Sequence, residues 1–168
     1  MERKESAKWL CRYTLSKYRE DIGPYRGGEA EFRRRFQPYE VISGEGNCLL
    51  NTGIDEMWDL ICGDSANHFS SAAAQIGVGD SSTAAAAAQT DLQAASNKTY
   101  KEMDSGYPSS TAQKATFKSS FGTSEANYTW NEWVVRQSSS GKCLNRKVEN
   151  LGTKSSGTWT LQVDITLA

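Results

Sequence analysis

The chain has 168 residues, the usual size of one globular domain and short for two. With 38% hydrophobic, 10% aromatic and 23% charged residues, its composition is too apolar and too weakly charged for a disordered protein. A net charge of -1 argues against a protein whose whole surface binds nucleic acid or an anionic membrane. The sequence starts with charged residues and not with an apolar signal segment, so we expect synthesis in a cytoplasm.

Charge divides the chain at about residue 40. Residues 1–40 hold ten Lys or Arg and seven Asp or Glu, a net +3, whereas residues 41–168 hold nine and thirteen, a net -4. The first part contains a short predicted strand over residues 9–15, followed by charged residues and turn-forming glycines. We therefore predict a charged N-terminal arm over residues 1–40 that contacts a partner, and a single β-rich globular body over residues 41–168.

Arginine and aromatic side chains are concentrated in the predicted arm. Three consecutive arginines lie between two phenylalanines, and this combination is typical of interface anchors. The alternatives for the arginines are a solvated charged face and a phosphate-binding patch. The residues that we predict to contact a partner are Trp9, Tyr13, Phe32, Arg33, Arg34, Arg35, Phe36 and Tyr39.

One helix is predicted with clear end signals, over residues 51–61. Asn51 or Thr52 can cap its N-terminus, and Gly63 follows its last apolar residue. Its apolar residues recur at helical spacing and form one stripe, which we expect another element to cover. The residues of this stripe are Ile54, Met57, Trp58 and Ile61.

The remaining predicted elements are mostly strands. A strictly alternating segment over residues 158–167 predicts a strand with one buried face. Further strands are predicted over residues 39–42, 75–79, 98–103, 114–121, 127–135 and 142–148, and a short alanine-rich helix over residues 83–95. Short strands without regular strand–helix alternation favour a mainly β fold with minor α, an antiparallel sandwich or barrel.

Residues with catalytic or metal-binding chemistry are sparse. The single histidine, His68, falls in a predicted loop, and the four cysteines have no zinc-ligand spacing. The segment GVGDSS (77–82) lacks the ending of a phosphate-binding loop. We predict no catalytic, cofactor-binding or metal-binding residue. Three tryptophans, Trp130, Trp133 and Trp159, keep open a carbohydrate-binding or carbohydrate-processing β-sandwich if they are exposed.

The order of several segments is similar to that in a group of small structural proteins of tailed bacteriophages. These segments are NCLLNTGI (47–54), AQIGVGDS (74–81), FGTSEANYTWNEW (121–133), LNRK (144–147), GTK (152–154) and GTWTL (157–161). The resemblance covers residues 45–168 and includes head-decoration (cement) and tail-fibre-like proteins of the virion.

The resemblance implies a non-enzymatic virion component without a cofactor. As a decoration protein it would lie on the outer surface of the head, be assembled in the host cytoplasm, and bind the major capsid protein and neighbouring copies of itself as a symmetric homo-oligomer. It would bind neither nucleic acid nor a membrane directly. The alternative is a tail-fibre or baseplate component.

Overall fold

The computed structural model describes residues 8–25 and 27–167, so residues 1–7 and Arg26 of the predicted arm, together with Ala168, lie outside the described residues. Within that part the chain forms ten strands and two helices. In chain order they are β1 (Trp9–Tyr18), α1 (Gly28–Arg35), β2 (Glu40–Glu45), β3 (Cys48–Leu49), α2 (Asn51–Cys62), β4 (Ala74–Gly79), β5 (Lys98–Glu102), β6 (Ser109–Thr111), β7 (Lys114–Phe121), β8 (Thr129–Gln137), β9 (Cys143–Thr153) and β10 (Thr158–Leu167).

The strands form two antiparallel five-stranded sheets. The first sheet has the order β2-β1-β10-β7-β6 and the second has the order β3-β9-β8-β4-β5. Buried side chains from both sheets belong to one hydrophobic cluster, so the sheets pack face to face. The predicted fold class, mainly β with a sandwich-like body and minor α, is confirmed.

Aromatic side chains fill the space between the sheets. The ring of Trp130 on β8 lies 4.8 Å from that of Phe121 on β7 and 5.0 Å from that of Trp159 on β10, measured between centroids. Trp130, Trp133 and Trp159 are 0%, 0% and 2% exposed. The exposure on which the carbohydrate alternative depended is therefore absent at these three residues.

The prediction that residues 1–40 form an arm outside the body is wrong for β1. This strand lies inside the first sheet, paired with β10 on one side and with β2 on the other. Cys11, Tyr13 and Leu15 point into the core and are at most 3% exposed. Arg12, a charged residue within this strand, has its side chain on the outer face, where it pairs with Glu45 at 2.8 Å.

The predicted helix over residues 83–95 is also wrong. The segment 80–97, called the strap below, contains turns and bends but no helix, and Ala84 to Ala88 are exposed. Alanine has high helix propensity, but a run of alanines offers little apolar area that could anchor a helix by packing. The strap instead crosses the outer face of the second sheet, where Leu92 and Ala94 are buried.

Candidate interaction surface

Helix α2 exposes a large part of its apolar stripe. Trp58 is 61% exposed and Ile61 is 73% exposed, whereas Met57 packs against the core. Ile54 lies on the same side of the helix, one turn before Trp58. We call Ile54, Trp58 and Ile61 the α2 face. The expectation that another element covers the whole stripe is wrong.

The opposite side of α2 is held against the second sheet by polar contacts. Glu56 is 0% exposed, and its carboxylate forms an ion pair with Lys142 Nζ at 2.5 Å and accepts a hydrogen bond from Ser65 Oγ at 2.6 Å. Burial by itself would raise the pKa of Glu56, but the bonds from Lys142 and Ser65 outweigh burial and hold the pKa below its usual range. The helix thus buries a carboxylate and exposes a tryptophan.

A close backbone approach fixes this orientation of α2. A Cβ atom on Gly53 would lie 2.5 Å from the carbonyl oxygen of Leu144 in β9, so only glycine lets the first turn approach so closely. Thr52 adds a hydrogen bond to the carbonyl of Cys143 at 3.2 Å. The predicted side-chain cap is absent, because Leu50 occupies the N-cap position, whereas Gly63 ends the helix with φ +83° as predicted.

An apolar groove adjoins α2. It has a volume of about 230 Å³, and Met57 connects it to the α2 face. The other apolar residues that line this groove are Trp9, Phe69, Ala115, Phe117, Leu144, Ile165 and Leu167. Leu167 is 53% exposed. The α2 face and the groove together form the candidate interaction surface, which suits an apolar partner surface.

The charges on α2 are acidic. The helix carries Asp55, Glu56 and Asp59 and no basic residue. Lys142 pairs with Glu56 and also with Asp59, at 3.2 Å, which leaves Asp55 exposed at the border of the face. A partner with basic residues around an apolar centre would therefore complement this surface.

The structure separates the residues predicted to contact a partner into two groups. Tyr13 and Phe32 are 2% and 1% exposed and pack inside the fold, not at its surface. Phe32 anchors α1 to the outer face of the first sheet, where its ring lies 5.0 Å from Tyr18. The same Phe32 ring also contacts the rings of Tyr25 and Phe36.

The other predicted contact residues reach the surface to different degrees. Arg34 and Arg35 are exposed, and Tyr39 is 50% exposed. Arg33 pairs with Glu29 and Arg35 with Glu31 within α1, so these two arginines are partly neutralised. Trp9 is partly buried and donates its indole N–H to Asn47 Oδ1 at 3.1 Å. No single patch unites these residues.

Reactive side chains are scattered in the structure. His68 and Cys62 are exposed in or next to the loop after α2. Cys11 is buried, and burial raises the pKa of its thiol to about 12, which disfavours a thiolate. Within residues 8–25 and 27–167, no group of three or more His, Cys, Asp or Glu could hold a metal ion.

In the described part of the chain, neither helix has the length and apolarity needed to span a lipid bilayer. Comparison of the sequence and fold with protein-family models, with curated proteins and with solved structures found no match.

The sequence identified the helix that carries the candidate surface but not which side of it is free. The apolar stripe was visible in the spacing of Ile54, Trp58 and Ile61. The deciding partner of Glu56 is Lys142, which is far away in sequence and adjacent only in the fold. No local pattern could have shown this contact.

Proposed function

We propose that this chain is a non-enzymatic structural protein that attaches to a larger protein assembly through the α2 face and the adjoining groove. The observation that carries the proposal is the exposure of Trp58 and Ile61 on a helix that buries Glu56. Covering a large apolar side chain contributes about 1.5–3 kcal/mol. Tryptophan is also among the residues most often dominant in binding interfaces.

We further propose that the assembly is a bacteriophage virion and that the protein decorates the head. The resemblance of residues 45–168 to phage structural proteins supports this assignment. In this role the α2 face binds the major capsid protein on the outer head surface, while other exposed residues contact neighbouring copies. A shell offers many equivalent sites, so a modest contact repeated around it stabilises the whole particle.

Counting copies in purified particles tests this function. Quantitative mass spectrometry against the major capsid protein should give hundreds of copies per particle for a decoration protein, because each capsid repeat offers a site. Roughly 3 to 12 copies would instead assign the chain to a tail fibre or baseplate, the alternative, because those parts have low rotational symmetry. Absence of the chain from purified particles would contradict a virion role altogether.

A further inference from the structure

The largest of the described cavities lies at one end of the sandwich, away from α2. Its volume is about 440 Å³, within the range of roughly 300–1,000 Å³ common for ligand pockets. We call it the Tyr39 cleft. Its lining residues are Tyr18, Arg19, Tyr39, Thr153, Ser155, Ser156 and Trp159.

An aromatic side chain is held at the mouth of the cleft. Tyr39 is 50% exposed, and its backbone N–H donates to the carbonyl of Lys17 at 2.8 Å, which fixes the residue beside the end of β1. The guanidinium of Arg19 lies 5.2 Å from the centre of the Tyr39 ring. A half-exposed ring on a residue whose backbone is anchored in this way offers a flat apolar surface to a ligand.

The charge of the cleft is positive. Lys17, just beneath it, is 4% exposed and is neutralised by Glu40, whose carboxylate lies 2.7 Å from the lysine ammonium. Arg19 has no ion pair with any residue in the described part of the chain. Its guanidinium can therefore bind an anionic group of a ligand, for which its planar fork of donors is suited.

Hydroxyl groups complete the cleft. Ser155 and Ser156 lie in the connection between β9 and β10, and neither side chain forms a hydrogen bond to the described residues. Thr153 next to them is engaged, since its hydroxyl shares a hydrogen bond of 2.7 Å with Thr129. Two hydroxyls are thus free to donate to and accept from a polar ligand.

We propose that the Tyr39 cleft binds an acidic saccharide unit, a pyranose that carries a carboxylate. The apolar face of the sugar ring packs on Tyr39, its carboxylate pairs with Arg19, and its hydroxyls bond to Ser155 and Ser156. An inorganic anion would use Arg19 but would leave the exposed Tyr39 ring without a role. The proposal is independent of the α2 face and of the role in a virion.

Titration calorimetry of the whole chain with short uronic-acid oligosaccharides tests this proposal. We expect a trisaccharide of galacturonate, glucuronate or mannuronate to bind. The methyl ester of the trisaccharide that binds should bind at least about tenfold more weakly, because it has lost the carboxylate charge. Inorganic phosphate should not displace the saccharide. The proposal fails if none of the three acids binds, or if phosphate competes with equal affinity.

Two variants locate the binding. Arg19→Gln and Tyr39→Ala should each weaken binding about tenfold or more, with unchanged thermal unfolding. Arg12→Gln is the matched control, because it removes the same charge from an exposed position on β1 that does not line the cleft. Equal weakening by Arg12→Gln, or full binding by Tyr39→Ala, would overturn the proposed site.

Discussion

At the scale of single residues, one buried ion pair holds the strap on the second sheet. Arg146 on β9 and Glu132 on β8 are diagonal neighbours in the sheet, with both side chains 0% exposed and 2.7 Å between Nε and Oε2. Arg146 also donates to the carbonyl of Thr83, and Glu132 accepts the backbone N–H groups of Gln93 and Ala94. The pair therefore satisfies buried groups at both ends of the strap.

Removing one partner of this pair should be costly. We expect Arg146→Ala to lower the free energy of unfolding by about 3–5 kcal/mol, because Glu132 is left as a buried, unpaired carboxylate. Urea unfolding measures the loss. The exposed pair of Arg12 and Glu45 is the control, with an expected loss below about 1 kcal/mol for Arg12→Ala. Equal losses at the two arginines would contradict a structural role for the buried pair.

Asp104 gives the protein a pH dependence of unusual sign. Burial raises its pKa to about 6, with a further contribution from the carboxylate of Glu29, while bonds from Ser120 oppose the rise. Around Glu29, α1 supplies Arg33 and β7 supplies Lys118, both paired with it. A raised pKa means that the folded state binds more protons than the unfolded chain between pH 4 and 6.

Stability from Asp104 is therefore present at acid pH and lost as pH rises through about 6. We expect Asp104→Asn to remove about 1–2 kcal/mol from the difference in unfolding free energy between pH 4 and pH 7. Urea titrations at the two pH values measure this change. An unchanged pH profile in Asp104→Asn would show that the carboxyl titrates normally.

At the scale of elements, the alternating strand β10 was predicted almost to the residue, because its buried face obeys a period of two. Helix α2 was predicted with its C-terminal glycine, but its orientation was not, since Gly53 and Glu56 find their partners on β9 and its preceding turn. The prediction for the strap was wrong, because alanine's helix propensity favoured a helix in a segment that Arg146 and Glu132 hold in an irregular conformation.

Gly77 in β4 makes room for side chains of the two neighbouring strands of the second sheet. A Cβ on Gly77 would lie 2.7 Å from the ring of Tyr100 and 2.8 Å from a methyl group of Val134. We expect Gly77→Ala to lower the unfolding free energy by about 1–3 kcal/mol through overpacking. Gly46→Ala is a control for space, since nothing lies within 4 Å there, although its φ of +78° adds backbone strain. A stabilised Gly77→Ala variant would contradict the packing.

At the scale of the whole molecule, the N-terminal segment belongs to the fold. β1 pairs along its whole length with β10 and supplies buried Tyr13 and Leu15. We expect deletion of residues 1–38 to abolish cooperative thermal unfolding, because the first sheet loses an inner strand. Deletion of residues 1–7 keeps β1 whole and is the control. A cooperative unfolding transition in the longer deletion would contradict this and would support an arm separate from the body.

The charge difference between residues 1–40 and residues 41–168 is partly compensated within the fold. The net +3 of residues 1–40 includes Arg12 and Lys17, which pair with Glu45 and Glu40 across β1 and β2. Part of the positive charge is therefore balanced within one sheet and is not available to a neighbouring copy. The arginines of α1 remain at the surface, and composition alone could not distinguish these two fates.

The central claim is that the α2 face attaches the protein to its assembly. The direct test is sedimentation of purified protein with particles made without it, comparing wild type with the double variant Trp58→Gln, Ile61→Gln. Val41→Gln is the control, since Val41 is 54% exposed on β2. We expect wild type and Val41→Gln to sediment with the particles and the double variant to bind at least about tenfold more weakly, with unchanged folding stability. Binding of the double variant equal to wild type would contradict the claim.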